Sequence, residues 1–170
     1  LARFDEKAVA ASRDVIGTVV HDHWVAAVGQ TWFAAEKALV ESPPQFTIFG
    51  DAPGDDRIKA AFTDAFKADG TEWLNVGDVT EVFAASRPVG ATYTVGFAPH
   101  VALEPMSATA VIRDGILELW LPTQVPGLAR MAAADAIGFA LEKVVVHPVI
   151  IGGSFGRKYE TEIAAQVALI

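Results

Sequence analysis

The sequence contains no cysteine, and this absence removes several kinds of chemistry from the chain. Without thiolates the chain cannot form a disulfide, a cysteine-ligated zinc site, a cysteine nucleophile or an iron–sulfur cluster of its own. Long apolar runs are also lacking. The longest, residues 144–151, contains His147 and Pro148 and is far shorter than the roughly 18 residues of a membrane span. We therefore expect no membrane span.

Positive charge is scarce, with 13 Lys and Arg residues against 21 Asp and Glu residues and a net charge of -8 at pH 7. Such a chain is repelled by the phosphate backbone of nucleic acids and by anionic membrane surfaces, so we expect no nucleic-acid partner. By contrast, 52% of the 170 residues are apolar. That is enough for the core of one domain or two small ones, and it excludes a disordered chain.

The two ends of the sequence carry a signal of their own. The chain begins at Leu1 without an initiator methionine or a targeting segment, and it stops inside an apparent amphipathic helix at Leu169-Ile170. We therefore expect it to be a piece of a longer protein.

Two strands and a helix are predicted for the N-terminal part. β-branched runs predict strands over 15–20 and 24–28, with a turn at His21-Asp22-His23 between them. Apolar residues at helical spacing predict a helix over 30–41, for which Thr31 is suited as the N-cap.

The middle of the chain predicts a linker and two helices. Residues 44–56 are rich in Pro, Gly and Asp, which is typical of a linker. Helical spacing predicts a helix over 58–70, and a capping-box pair predicts a shorter one over 78–86. A β-rich run over 92–97 predicts a strand.

A hairpin, a helix and a further strand are predicted for the C-terminal part. Strands over 107–113 and 116–121 are joined by Asp114-Gly115, the two-residue signature of a tight hairpin. An Ala-rich stretch predicts a helix over 126–140, and the most apolar run predicts a strand over 143–151.

A glycine-rich turn is the sharpest local signal. Residues 152–156 read GGSFG and stand between that last strand and a final helix predicted to begin near Arg157. Such a turn lets a ligand approach the backbone and directs the N-terminal amides of a helix at an anion. The alternative is that the glycines serve only a tight structural turn. Neither a Walker loop nor the dinucleotide-binding pattern is matched.

The same five residues also match Gly-x-Ser-x-Gly, the nucleophile elbow of esterases, with Ser154 as the nucleophile. In that fold the acid and then the histidine follow the serine. Every histidine of this chain precedes Ser154, namely His21, His23, His100 and His147. A serine without its histidine is a poor nucleophile, so a serine hydrolase stays the weaker alternative.

Two pairs of polar residues have structural as well as functional interpretations. His21 and His23 would share one face of a strand and hold a metal, but no third ligand is evident. His100 and Glu104 lie in an apolar stretch, where a His bonded to the backbone and a Glu bonded to loop amides would be structural.

Three segments point to a known family by their order. Residues 25–39 (VAAVGQTWFAAEKAL) look like the strand and helix that close an α/β-hammerhead domain. Residues 100–106 (HVALEPM) and 120–124 (WLPTQ) are similar to a stretch H-x-x-x-E-P-M … W-x-P-T-Q, and residues 152–158 (GGSFGRK) resemble a GGGFGR cofactor loop. Together they resemble the molybdenum-binding large subunit of the xanthine dehydrogenase and aldehyde oxidase family, most closely its isoquinoline 1-oxidoreductase and bacterial aldehyde dehydrogenase branch.

The resemblance implies an α+β fold in three parts. Residues 1–43 would be the C-terminal part of a hammerhead-like domain, 44–88 a linker with helices, and 89–170 the N-terminal part of a molybdopterin-binding domain. It also implies that the backbone of Phe155 lies next to the molybdenum. The implied cofactor-binding residues are Gly153, Ser154, Phe155, Gly156 and Arg157.

This sequence departs from the family at three positions. Ser154 replaces the usual third glycine of the loop. Ala98 stands where xanthine oxidases have a glutamine, and Tyr159 where they have a substrate-binding glutamate, so both are candidates for the substrate pocket and purine substrates are not expected. The general-base glutamate of the family is expected C-terminal of this chain, which leaves no catalytic residue within it.

The implied reaction is oxidation of an aldehyde or an N-heterocycle with water-derived oxygen, by molybdenum on molybdopterin or on its cytosine dinucleotide form. Since the chain has no cysteine, the implied iron–sulfur clusters lie in a partner subunit or domain that accepts the electrons. The other implied partners are the remainder of the large subunit and a small-molecule substrate. The chain alone is expected to be inactive. A non-catalytic binding or assembly module is the third alternative.

Overall fold

The computed structural model describes all 170 residues, Leu1 to Ile170, and has an α+β fold. The chain divides into two compact units. One contains residues 1–47 and 98–170, and the other contains residues 48–97. All of the candidate cofactor and substrate residues lie in the first unit.

A two-stranded antiparallel sheet and two helices form the N-terminal part of the first unit. They are α1 (Glu6–Ala10), β1 (Val15–Val20), β2 (Val25–Gly29) and α2 (Trp32–Glu41). The Thr31 hydroxyl accepts a hydrogen bond from the Ala34 N–H at 3.2 Å and caps α2. Val9, Ala34 and Ala38 are buried there. Both predicted strands, the predicted helix and its cap are confirmed.

The second unit contains only the helices α3 (Asp55–Ala65) and α4 (Val79–Ala85). The Asp78 carboxylate accepts a hydrogen bond from the Glu81 N–H at 2.8 Å, so α4 is capped as predicted. The strand predicted over 92–97 was wrong, because no strand forms there. Its side chains are exposed and no neighbouring strand pairs with it, and β propensity alone does not hold an unpartnered strand.

The second sheet has the strand order β3-β4-β5. Its strands are β3 (Thr109–Arg113), β4 (Ile116–Leu121) and β5 (Val144–Pro148). The hairpin of β3 and β4 is confirmed, with Asp114 and Gly115 at φ 51° and 72°, the left-handed conformation that a tight two-residue turn requires. Strand β5 runs parallel to β4, which requires a crossover connection, and α5 (Pro126–Ile137) supplies it.

The core of this part lies on one face of the second sheet. Alternate residues of β4 are buried because side chains of a strand point to opposite faces. They pack against alanines of α5 and α6 (Glu162–Leu169) and against β5. The core residues are Leu117, Leu119, Leu121, Ala129, Ala133, Ala134, Val144 and Ala164. This packing fixes the end of β5, from which the glycine-rich turn continues.

Several predicted boundaries were wrong, and the cause of three of them is visible in the structure. Helix α3 also differs, since it spans Asp55–Ala65 rather than 58–70. Helix α5 ends at Ile137 rather than at 140, because Gly138 at φ 69° closes the helix. Strand β5 ends at Pro148 rather than at 151, because Pro148 pairs with Leu121, the last residue of its neighbour β4. The last helix begins at Glu162 rather than near Arg157, because residues 157–159 first form a short 3-10 turn.

Candidate cofactor-binding site

The turn at residues 152–156 has a backbone that side chains rarely tolerate. Gly153, Phe155 and Gly156 have φ values of 91°, 52° and 99°. A Cβ atom at Gly153 or Gly156 would find its nearest neighbours at 3.7 Å and 3.6 Å, which is ordinary contact. Glycine is therefore needed at these two positions for conformation rather than for lack of space.

Four consecutive backbone N–H groups of this turn, those of residues 153–156, donate no hydrogen bond within the chain. The groups on either side are satisfied. The Gly152 N–H donates to Glu104 Oε2 at 2.9 Å, and the Arg157 N–H donates to the Ser154 carbonyl at 2.9 Å. Successive free amides in a turn with left-handed residues attract anionic or strongly accepting oxygen atoms. The turn is therefore suited to a group that carries several such oxygens.

An ion pair joins the two ends of the turn to a segment far away in the sequence. Glu104 Oε2 accepts the hydrogen bond from Gly152 and pairs with Lys158 Nζ. The Lys158 side chain is only 1% exposed, whereas that of Glu104 is 30% exposed. The bond from Lys158, and then that from the Gly152 N–H, holds the pKa of Glu104 below its ordinary value, so the carboxylate is ionised at neutral pH.

Gly152 has a steric requirement that the other glycines of the turn lack. A Cβ atom there would lie 2.8 Å from the Cβ of Glu104, closer than real side-chain atoms approach. The absence of a side chain at Gly152 therefore lets the backbone reach the carboxylate of Glu104.

The backbone of Lys158 connects a third segment to the site. Its carbonyl accepts hydrogen bonds from the Gln124 N–H at 3.0 Å and from the buried Thr123 hydroxyl at 3.4 Å. The loop after β4, the segment 98–106 and the glycine-rich turn therefore meet around one lysine. Two of the three segments that carry the family resemblance are brought together here.

A cleft of about 340 Å³ lies beside this junction. Its wall is mostly apolar and is formed by the segment 99–106 together with Arg157 and Lys158. The His100 ring lies 3.6 Å from the position that a Cβ of Gly156 would occupy. The predicted bond from His100 to the backbone is not formed, because its ring makes no hydrogen bond.

The five predicted cofactor residues are contiguous on the turn, but their side chains differ in accessibility. The Phe155 side chain is 75% exposed. The Arg157 guanidinium forms an ion pair with Glu160. The two predicted substrate-pocket residues, Ala98 and Tyr159, are exposed and do not line the cleft.

The catalytic triad required by a serine hydrolase is not assembled. His147 Nε2 lies 2.9 Å from Glu118 Oε2, and its ring stacks on Trp120 with centroids 4.8 Å apart. The Ser154 hydroxyl has no hydrogen bond to a histidine. The geometry therefore does not favour the hydrolase alternative.

The N-terminal histidine pair forms no metal site. The structure contains no group of three or more His, Cys, Asp or Glu residues placed to hold a metal ion. His21 instead stacks on Trp24, with ring centroids 5.3 Å apart, and its Nδ1 accepts a hydrogen bond from the His23 N–H at 3.3 Å.

No helix has the length and hydropathy that crossing a membrane requires.

Lys158 is the site residue that sequence reasoning missed. The sequence predicted that Glu104 bonds to loop amides, and the Gly152 N–H confirms this. Glu104 itself was the signal that could have led to Lys158, because a carboxylate in an apolar stretch needs a cationic partner if it is buried. Lys158 lies 54 residues from Glu104 in the sequence, so no local pattern identified it as the partner.

Sequence comparison identifies the family. Residues 62–170, more than half of the chain, match the family described as the molybdopterin cofactor-binding domain. The chain belongs to this family, which confirms the resemblance to a molybdenum-binding subunit.

Individual relatives extend over most of the chain. The aldehyde oxidoreductase molybdenum-binding subunit PaoC of Escherichia coli (strain K12) is 29% identical over 156 residues, which are 91% of this chain and 17% of the relative. The membrane-bound aldehyde dehydrogenase [pyrroloquinoline-quinone] of Gluconacetobacter polyoxogenes is 28% identical over 152 residues, 86% of this chain and 19% of the relative.

A shorter and closer match is the isoquinoline 1-oxidoreductase subunit beta of Brevundimonas diminuta. It is 39% identical over 59 residues, which are 34% of this chain and 8% of the relative. The chain thus spans less than a fifth of the length of each of these relatives. All of them are named as oxidoreductases or dehydrogenases, although one name specifies a quinone rather than molybdenum.

Proposed function

We propose that this chain is the part of a molybdenum hydroxylase subunit that offers its glycine-rich turn to the molybdopterin cofactor. The observation that carries the proposal is the run of four free backbone N–H groups over residues 153–156, in a turn whose Gly153 and Gly156 have positive φ. Membership of the molybdopterin cofactor-binding family supports the identity of the bound group.

Residues of this chain would hold the cofactor mainly through main-chain atoms. A net charge of -8 does not attract an anionic cofactor over distance, so the oriented amides of residues 153–156 supply the local attraction. The Phe155 main chain would lie next to the molybdenum, and Gly153, Ser154, Gly156 and Arg157 would also contact the cofactor. When bound, the cofactor supplies the two-electron oxidation of an aldehyde or N-heterocycle.

The chain's own contribution to the reaction is binding and orientation. Its largely apolar cleft beside Arg157 suits a small, largely apolar substrate. Ala98 and Tyr159 are proposed to act at the margin of the substrate path, since they do not line the cleft. The general base is proposed to lie in another segment of the subunit, so this chain would be inactive alone.

We also propose how the chain fits a larger assembly. Residues 1–43 would close a hammerhead-like domain, 44–88 would link it to the cofactor domain, and 89–170 would begin that domain. Relatives named as a molybdenum-binding subunit and a subunit beta support a multi-subunit enzyme. An iron–sulfur partner would accept the electrons, and the cofactor would be molybdopterin or its cytosine dinucleotide form.

The experiment measures cofactor content in the native protein that contains this chain. We expect molybdenum and pterin in the wild type, measured by elemental analysis and by fluorescence of the oxidised pterin. Gly156→Ala should lose most of both, because alanine is strained at a φ of 99°. Gly127→Ala is the matched control, since it lies in α5 with no atom within 4 Å of the added Cβ and should retain them.

Two results would overturn the proposal. One is a wild-type protein that contains no molybdenum, or that contains pyrroloquinoline quinone in its place. The other is a Gly156→Ala protein with the molybdenum content of the wild type.

A further inference from the structure

The segment 98–106 has no helix or strand of its own, yet it forms most of the wall of the cleft. Glu104 makes all three hydrogen bonds that tie this segment to the rest of the chain. Its N–H donates to the Gly152 carbonyl at 3.4 Å, and its carboxylate accepts from the Gly152 N–H and from Lys158. One residue therefore attaches the cleft wall to both ends of the glycine-rich turn.

The two members of the ion pair depend on each other unequally. Lys158 Nζ is buried and has Glu104 as its only acceptor. The Glu104 carboxylate is partly exposed and has a second donor in the Gly152 N–H. Removal of Glu104 would leave a buried ammonium group without a partner, which is strongly unfavourable. Removal of Lys158 would leave a carboxylate that water and one amide still solvate.

We propose that Glu104 and Lys158 are positioning residues, whose ion pair fixes the glycine-rich turn and the cleft wall relative to each other. Neither residue is one of the proposed cofactor-binding residues. Glu104 holds the start of the turn by accepting from the Gly152 N–H, just before the four free amides. It holds the end of the turn by pairing with Lys158, the residue after Arg157. The proposal concerns the placement of the turn, and it depends on the proposed function only for the identity of the group that the turn binds.

The decisive variant replaces both members by apolar residues, Glu104→Leu with Lys158→Met. Replacing a buried ion pair by apolar side chains is often neutral or stabilising, so the melting temperature of the native protein should stay close to that of the wild type. The Gly152 N–H, however, loses its acceptor. Molybdenum and pterin content should fall about tenfold or more, the range typical for partners that orient a metal site.

Single variants and a control separate charge burial from positioning. Glu104→Gln should lower the melting temperature more than Lys158→Met, because it leaves the buried Lys158 ammonium without an anionic partner. Glu41→Gln breaks the exposed Lys37–Glu41 pair, whose atoms are 3.7 Å apart, and should change neither stability nor cofactor content.

Hydrogen–deuterium exchange of the metal-free native protein supplies a readout independent of the cofactor. In the double variant, peptides that cover residues 98–106 and 152–157 should exchange faster than in the wild type, while those of β4 should not change. Unchanged exchange in both peptides, or full cofactor content in the double variant, would overturn this inference. A wild type without molybdenum would overturn the proposed function, and the exchange result would then decide the positioning role alone.

Discussion

At the residue scale, Lys158 illustrates what a buried charge demands of its surroundings. Its ammonium has one carboxylate partner, and its carbonyl accepts two further hydrogen bonds from the loop after β4. A charge that is almost completely removed from water persists only when it is paired and hydrogen-bonded. The same contacts that satisfy Lys158 also bring three separate segments together.

The lowered pKa of Glu104 predicts how acid affects this junction. A carboxyl group whose pKa is depressed by folding stabilises the fold above its unfolded pKa, and that contribution is lost as the pH falls through the folded pKa. The urea midpoints of the isolated chain and of its Glu104→Gln variant should therefore differ by a constant amount from pH 8 to about 5. The difference should shrink below about pH 4, where carboxyl groups become protonated.

The acid prediction has a control in an exposed carboxylate. Glu41→Gln should show no comparable pH-dependent difference from the wild type, because its ion pair with Lys37 is solvent-exposed. A Glu104→Gln difference that persists unchanged to pH 3 would contradict the prediction.

At the element scale, helix α2 shows how a local signal fixes a boundary. The helix begins at Trp32, directly after Thr31, whose hydroxyl accepts from the Ala34 N–H. This bond satisfies one of the amides that the first turn of a helix leaves without a partner. The helix then contributes Ala34 and Ala38 to the buried part of the N-terminal sheet and helices.

Thr31→Ala should lower the free energy of unfolding by about 1 kcal/mol, because alanine offers no oxygen to the first turn. Urea unfolding of the isolated chain, followed by circular dichroism, measures the loss. Thr31→Ser keeps the acceptor and should stay within a few tenths of a kcal/mol of the wild type. Equal losses in the two variants would show that the contribution comes from packing of the threonine methyl group instead.

Local sequence signals predicted most elements of this fold. The strand that does not form and the ion pair that was not predicted both depend on contacts between distant residues. Asp114-Gly115 and Thr31 act within a few residues of themselves, so their structures were predictable. The run 92–97 has β propensity, but whether it forms a strand depends on a partner that the sequence does not display. The same distinction applies to the candidate site. The GGSFG turn was recognised from neighbouring residues, whereas the pairing of Glu104 with a distant lysine was not predicted.

At the scale of the whole molecule, large apolar side chains are exposed in both units. Trp32 and Trp73 are not part of the core, and Trp73 is 94% exposed. Phe49 and Phe155 are also largely exposed. Large apolar side chains exposed in this way are suited to surfaces that other protein segments or subunits cover.

The isolated chain should therefore bind a hydrophobic dye such as anilinonaphthalene sulfonate more strongly than an ordinary monomer of similar mass. The native protein should bind less dye per copy of this chain, since other segments or subunits would cover these side chains. Fluorescence titrations at equal protein concentration make the comparison. Dye binding at the level of an ordinary monomer would contradict this expectation.

The sequence by itself determined the family, through the order of three motifs. It also determined the hairpin, the capped helices and the position of the glycine-rich turn, because each of these depends on residues that are neighbours along the chain. Only the tertiary structure decided that Glu104 and Lys158 pair, that Gly152 must lack a side chain, and that residues 153–156 keep their amides free. These features depend on distances between segments about 50 residues apart. Such distances are set by packing of the core and not by local propensity.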